Sequence, residues 1–504
     1  MNKNFIKTIF LNFFITIGMS ISMFLVNKYF IEYMGIKNLG LMKLFTQLLN
    51  YLNFAEIGLA SASTFALYKP LVDKNYHKIN EIITTISSLY NKIFIIIIVI
   101  GLLLNPLIPY FIKDKIPIHI IFLYWSLYVI NTALGYTYVK YSILLTADQH
   151  YGLVRLIQGG SRIFCQILQI LVIIKYKSFL FFILLLFVDN IIQYTLYTYV
   201  YRKHYKYIKK SLKKDLSIVN DLKKLVWHKL STLVIYNTDL ILISKFVSLD
   251  IVGIYSSYTM IVQMIIVILG VILNVLSPRI GKFIAENNKK IIFECWKKLN
   301  ILFLFLSLWF CMCCYFLIND FIILWIGKTY IFSTVTVTLI LINLFFQCFR
   351  GITDIFKEGS GFFDDIHLPI IESIINFIVS IILVRFIGLN GVIIGTIMSN
   401  VLIIFIARPI LVFRRCFGQN MIKYLQIYFG YIILILSSII IVMIAMNIFS
   451  IKMNKISWLN WIINATYISF LVFCILMIVF CMNKYFRRIL LGIIHLKSIN
   501  TNKK

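Results

Sequence analysis

The chain alternates long apolar runs with short polar breaks. Stretches of eighteen or more residues rich in Ile, Leu, Phe and Val recur from end to end, and that is the length a helix needs to cross the hydrocarbon of a bilayer. Fourteen spans are expected, centred near residues 19, 54, 98, 130, 163, 190, 237, 264, 305, 344, 378, 402, 437 and 470. The runs lack the alternation of barrel strands. The pattern predicts an all-α polytopic membrane protein with about 14 transmembrane helices, arranged as two six-helix lobes plus two extra helices. After Met1-Asn2-Lys3 the apolar run continues without a small-residue cleavage site, so it is expected to form the first span.

The two lobes are read from a repeat. Three hairpins open alike, with Lys28-Tyr29-Phe30-Ile31, Lys245-Phe246-Val247 and Arg385-Phe386-Ile387. Each is followed by a glycine that begins the next helix: Gly40, Gly253 and Gly391. This predicts an N-terminal lobe over 1–201, a basic linker over 202–226 and a C-terminal lobe over 227–413. Spans thirteen and fourteen occupy 414–482, and a basic tail occupies 483–504. Parallel repeated lobes of this kind are a transporter signature.

Polar residues inside the spans fall on stripes, because a helix advances about 100° per residue. Span ten carries Thr336, Asn343, Gln347, Arg350 and Asp354 on one face. Span eight carries Ser256, Thr259, Gln263 and Asn274, with Gly270 on the same line. Span five stacks Gln158, Arg162, Gln166 and Gln169, and span four Asn131, Gly135, Tyr138 and Ser142. Glu372, Asn376 and Ser380 follow span eleven, and Asp189, Gln193 and Tyr197 share a side of span six. A single polar residue in a span usually ties helices together. Six coherent stripes suggest instead a water-filled cavity between the lobes.

The stretch "IYNTDLILISKFVS" (235–248) places Asp239 inside a membrane run, where an aspartate costs roughly 2.5 to 3.5 kcal/mol. His228, Ser231, Thr232, Thr238, Asp239 and Lys245 share an arc of about 140°, with Asn237 and Ser244 off it. Two roles stay open for Asp239. One is an ion pair with Arg162 or Arg350, and the other is binding of a proton, a sodium ion or a sugar hydroxyl. Asp189, Glu372 and Asp354 are further candidates for ion coupling or ion pairing. Amides and tyrosines suit sugar hydroxyls, which selects Gln158, Gln166, Gln169, Asn131, Tyr138, Gln263, Asn274, Asn343, Gln347 and Asn376. The guanidinium groups of Arg162 and Arg350 are forked donors matched to the oxygens of a diphosphate. A drug-extruding cavity is expected to be more aromatic and acidic and less basic.

Composition narrows the picture further. The 504 residues are 61% hydrophobic and 13% charged, with a mean hydropathy of +0.91. The net charge of +30 would indicate nucleic acid in a soluble protein. Here the basic residues gather in loops, above all "RKHYKYIKKSLKKDLSIVNDLKK" (202–224). Positive loops stay on the side of synthesis, so both termini are expected in the cytoplasm, with membrane lipids rather than nucleic acid as the partner. The nine cysteines sit mostly in apolar runs, including Cys311, Cys313 and Cys314, and the seven histidines lack ligand spacing. Neither a metal nor a cofactor is expected. "WIGKT" is not a phosphate loop, because Ile322 stands where the first glycine is needed. Asn464-Ala465-Thr466 matches a glycosylation sequon but lies within a span. External loops are short, the longest near 319–332, which leaves no room for a catalytic domain. No enzyme is expected.

Several segments resemble bacterial polysaccharide-unit flippases, the O-antigen translocases. They are "HKLSTLVIYNTDLILISKFVSLDIVGIYSSYTMIV" (228–262), "PIIESIINFIVSIILVRFIGLNGVIIGTIMSN" (369–400), "YKPLVDKNYHKINEI" (68–82), "LLTADQHYGLV" (144–154) and "LWIGKTYIFS" (324–333). Their order and spacing carry the resemblance over nearly the whole chain. It implies the two-lobed, multidrug-exporter-like fold of the multidrug/oligosaccharidyl-lipid/polysaccharide exporter superfamily, working by alternating access. It implies a cargo of undecaprenyl-diphosphate-linked oligosaccharide, turned to the periplasmic leaflet of the inner membrane, and the O-antigen polymerase and ligase as partners. The family's cation-rich cavity matches Arg162 and Arg350 in kind. A cation-coupled drug antiporter, a membrane glycan polymerase and a flippase for cell-wall precursor remain alternatives.

Overall fold

The computed structural model describes residues 3–53, 59–209, 211, 213, 238–362, 367–449 and 457–491. Among the described residues there are helices and connections but no strand. Twelve helices among them are long and apolar enough to cross a membrane, and they coincide with twelve of the fourteen expected centres. The other two centres, 54 and 237, lie outside the described residues, as do His228, Ser231, Thr232 and Asn237. The chain divides into two compact units, Met1–Ile254 and Tyr255–Lys504.

The first unit holds α1 (Lys3–Met34), α2 (Ile36–Leu52), α3 (Leu59–Val72), α4 (Tyr76–Leu103), α5 (Ile118–Gly135), α6 (Val139–Ala147), α7 (Tyr151–Tyr176), α8 (Phe179–His204) and α9 (Asp239–Phe246). It also takes the first residues of α10 (Leu249–Glu286). Its helices break where the sequence supplies a breaker. Gly35, at φ +82°, separates α1 from α2, a conformation that glycine adopts without strain. Asn75 caps α4 by accepting a hydrogen bond from the Lys78 amide at 3.1 Å. Packing is by small residues and rings. A Cβ on Gly159 of α7 would fall 2.1 Å from the Ile15 side chain of α1, so only glycine lets these helices approach so closely. Phe30 of α1 meets Phe179 and Phe182 of α8 edge to face. Trp125 of α5 donates to the Gly101 carbonyl of α4 at 2.7 Å.

The second unit contains the rest of α10, then α11 (Lys289–Trp325), α12 (Thr334–Gly359), α13 (His367–Ile387) and α14 (Leu389–Ser399). A π-helical segment, Asn400–Ala407, follows and runs directly into α15 (Arg408–Arg415), after which come α16 (Met421–Phe449) and α17 (Trp458–Cys481). Trp296 is wholly buried, with Phe293, Phe413 and Phe417 around it. The two C-terminal helices belong to this core. Phe305 of α11 packs on Phe473 and Phe480. Trp309 donates to the Ser469 carbonyl at 3.0 Å and Trp461 to the Leu317 carbonyl at 3.2 Å.

Candidate functional site

The polar stripes of the first unit converge on one cavity of about 370 Å³. α7 contributes Arg162, Gln166 and Gln169, successive turns of one face. α5 and the residues after it contribute Asn131, Gly135 and Tyr138, and α8 contributes Asp189, Asn190 and Gln193. α1 adds Asn27, while α2 and the residue after it add Lys43, Thr46, Asn50 and Asn53. Eight of the residues picked out from the sequence therefore meet here: Arg162, Gln166, Gln169, Asn131, Gly135, Tyr138, Asp189 and Gln193.

A hydrogen-bond chain holds one wall. The Asn190 amide donates to the Asn131 side-chain oxygen at 2.7 Å and to the Asn131 carbonyl at 3.0 Å. Its own side-chain oxygen accepts from the Tyr138 hydroxyl at 2.8 Å. Tyr138 also stacks on Tyr197 at 5.6 Å. Ser22 of α1 donates to the cavity-lining Gln166 of α7. Tyr136 donates to Asn53 at 2.9 Å, fixing the end of α2.

The charges in this cavity are not paired off. Lys43 and Arg162 face one carboxylate, Asp189, and neither cation forms a salt bridge among the described residues. The Arg162 side chain is exposed to the cavity. Oδ1 of Asp189 is buried without a hydrogen-bond partner among the described residues. Among the described residues the cavity is thus net positive, lined by amides and hydroxyls, with fork-shaped donors open to an anion.

Gln158 stands one turn away from the cavity on α7, beside Tyr197. Asp239 opens α9 near the Tyr51 hydroxyl. Lys43, Asn50, Asn53, Asn27 and Asn190 were not foreseen. Lys43, Thr46, Asn50 and Asn53 recur at spacings of three and four and form a readable stripe, but the expected span was centred on residue 54, beyond the end of α2.

In the second unit the stripes bind helices to each other. Thr336 of α12 donates to Asn390 at 2.8 Å. Asn343 donates to the Ile393 carbonyl at 3.4 Å and accepts from Asn400 at 3.1 Å. Asn376 of α13 donates to Thr396 of α14 at 3.3 Å and accepts from Ser380 at 3.1 Å. Gln347 is half-buried, and Gln263 and Asn274 are exposed on α10. Arg350 is ion-paired with Asp354 at 2.9 Å. Arg408, at the exit of the π-helical segment, reaches the other Asp354 oxygen at 3.0 Å and Glu372 at 3.7 Å. Two arginines thus meet two carboxylates, with Arg408 6% and Glu372 3% exposed. Sequence reading passed over Arg408 because it starts the basic run at the end of span twelve.

No protein-family model matches the sequence, and no curated protein matches it. Solved structures do. The chain is similar to the lipid II flippase MurJ in an inward closed conformation, with a TM-score of 0.68 at 14% identity over 94% of this chain and 99% of the flippase. It is also similar to an inward-facing MATE-family multidrug resistance transporter of the MOP superfamily, with a TM-score of 0.66 at 13% identity over 78% of this chain and 93% of the transporter. An outward-facing transporter of that family gives a TM-score of 0.53 at 14% identity over 80% and 93%. The chain shares its fold with these proteins. Within that fold it is a multi-span membrane protein, and the neighbours just described are a flippase and transporters. The flippase match, at 94% of the chain, must reach into the α16–α17 pair, whose 29 and 24 residues together exceed the unmatched share.

Proposed function

We propose that this chain is a flippase for undecaprenyl-diphosphate-linked oligosaccharide units of an O-antigen or related surface polysaccharide. The observation that carries the reading is the cavity of the first unit. It holds two cations against one carboxylate, set among asparagine, glutamine and tyrosine. A diphosphate needs forked, charged donors, and sugars need amides and hydroxyls. Arg350, assigned to the diphosphate from the sequence, is already neutralised by Asp354, so this duty falls to Arg162 with Lys43. Asp189, buried at one oxygen and unpartnered there, is the leading ion-coupling group, ahead of Asp239, Asp354 and Glu372. The lipid tail would stay in the bilayer while the cavity opens to each leaflet in turn. The setting is the inner membrane, with both termini cytoplasmic and the O-antigen polymerase and ligase acting downstream.

The test deletes the gene and follows lipid-linked units and surface polymer together. Loss of polymer with single units held on the cytoplasmic leaflet supports the flippase. Units that reach the periplasmic leaflet but stay unlengthened point to a polymerase. An unchanged surface removes both readings and directs attention to drug export.

A second reading has its own support. The match to a lipid II flippase extends over nearly the whole chain, which makes cell-wall precursor an alternative cargo. Rescue of cells depleted of their lipid II flippase would favour it; failure to rescue would favour the surface-polysaccharide unit.

A further inference from the structure

A second polar site lies in the first unit, outside the cavity. α4, α6 and α8 enclose a groove with a volume of about 440 Å³. Thr84, Ser87 and Ser88 line one side, Lys140 and Tyr141 the second, and Tyr201 and Lys209 the third. Among the described residues no carboxylate lines it. Lys140 is half-buried, and its ammonium finds a hydroxyl, Ser87 Oγ at 3.2 Å, and the Tyr141 ring at 5.0 Å. A lysine withdrawn from water without a counter-charge lacks the anion that would stabilise it.

The chain builds this groove deliberately. The residues after α8 fold back onto α4, where the Lys209 amide donates to Asn80 at 3.0 Å and the Ser211 amide to Thr84 at 3.0 Å. That closes the end of the groove nearest the basic last turn of α8, Arg202-Lys203-His204. By the positive-inside rule this end faces the cytoplasmic headgroups. At the other end the groove continues past Lys140 to Ile191 and Tyr194, both exposed large side chains on α8. From Tyr201 to Asn190 the path follows α8 for about 16 Å. It therefore runs from headgroup level into a face that acyl chains can cover.

We propose that this groove is a binding site for the phosphate of an anionic membrane lipid. Lys140 and the Ser87 and Tyr141 hydroxyls hold the phosphate, Lys209 stands at the rim, and an acyl chain lies over Ile191 and Tyr194. The site does not depend on what the cavity carries. It does touch the cavity's wall, since Asn190 lines both spaces. A lipid seated here would press on the residue that ties α5 to α8.

The test uses the purified full-length protein in detergent with equal phosphatidylglycerol and phosphatidylcholine, read by native mass spectrometry. Wild type is expected to retain phosphatidylglycerol over phosphatidylcholine. Lys140→Gln should lose that retention roughly tenfold, the size of one charge-assisted contact, while Lys140→Arg keeps it. Lys92→Gln, an exposed neighbour on α4, should change nothing. Ser87→Phe, which fills the groove without altering charge, should lose it as Lys140→Gln does and guards against a folding defect in the lysine variant. Equal retention in Lys140→Gln and wild type overturns the site. Displacement of the lipid from wild type by millimolar inorganic phosphate overturns the lipid as its ligand and assigns a soluble anion instead.

Discussion

Gly40 of α2 and Gly253 of α10 face each other with no room for a side chain between them. A Cβ on Gly40 would lie 1.9 Å from the Leu249 carbonyl oxygen and 3.2 Å from the Gly253 nitrogen; one on Gly253 would lie 2.5 Å from the Ile36 carbonyl oxygen. The obstruction is backbone on both sides, so no rotamer change relieves it. Close backbone approach through small residues is how helices pack when lipid supplies no hydrophobic drive.

Gly40→Ala and Gly253→Ala should therefore each destabilise the folded protein by at least the usual overpacking cost of about 1 to 3 kcal/mol. Gly270, in the same α10, has open space around its Cβ position, and Gly270→Ala should be neutral or slightly stabilising. Thermal unfolding in detergent, followed by size-exclusion fluorescence, measures all three. Equal melting of Gly40→Ala and Gly270→Ala would show that the two backbones do not meet.

The buried ion network of the second unit makes a prediction about stability. Asp354 accepts from both Arg350 and Arg408, and Arg408 also approaches Glu372. Removing Arg408 leaves the buried Glu372 and the half-buried Asp354 with one cation, and breaking a fully buried pair costs about 3 to 5 kcal/mol, the ceiling for this loss. Arg350, less buried, leaves Asp354 still paired when removed. Arg408→Leu should lower the melting midpoint more than Arg350→Leu. The double variant Arg408→Leu with Glu372→Gln should recover part of the loss, because the stranded charge has gone.

The sequence revealed the class and the helices far better than the pairing of charges. Long apolar runs specify spans whatever their neighbours, so twelve expected centres reappear as helices. The stripe on α7 was legible because Arg162, Gln166 and Gln169 keep helical spacing with apolar residues between them. The stripe on α12 was equally legible, yet its Thr336 and Asn343 satisfy neighbouring helices. Periodicity gives the face of a residue and not what lies opposite it. Arg408 illustrates the limit, since its partners Asp354 and Glu372 lie 54 and 36 positions away in the chain.

The aromatic residues of the C-terminal helix pair complete the core around α11. Phe305 is buried among Phe473, Phe480 and Phe486. Truncation before α16 should leave α11 with a bare aromatic face at Phe305 and Trp309, whose partners Phe473 and Ser469 would be gone. Accumulation of the truncated protein in membranes should fall to background on immunoblotting. Accumulation at the full-length level would mean that α16 and α17 are separable.

The charge arithmetic of the first cavity gives the sharpest functional prediction. Arg162 has no salt-bridge partner among the described residues, so its removal strands no carboxylate, and the fold should tolerate it. Arg162→Gln should melt within a few degrees of wild type while losing most restoration of surface polymer in a deletion strain. Lys43→Gln should weaken restoration in the same direction, because Lys43 is the cavity's second cation. Gln158→Ala, one turn along α7 and outside the lining, should restore normally. Restoration is read by surface glycan staining, with protein level measured alongside. If Arg162→Gln restores like wild type, the diphosphate is held elsewhere, and Arg350 with Arg408 would have to release Asp354 to hold it.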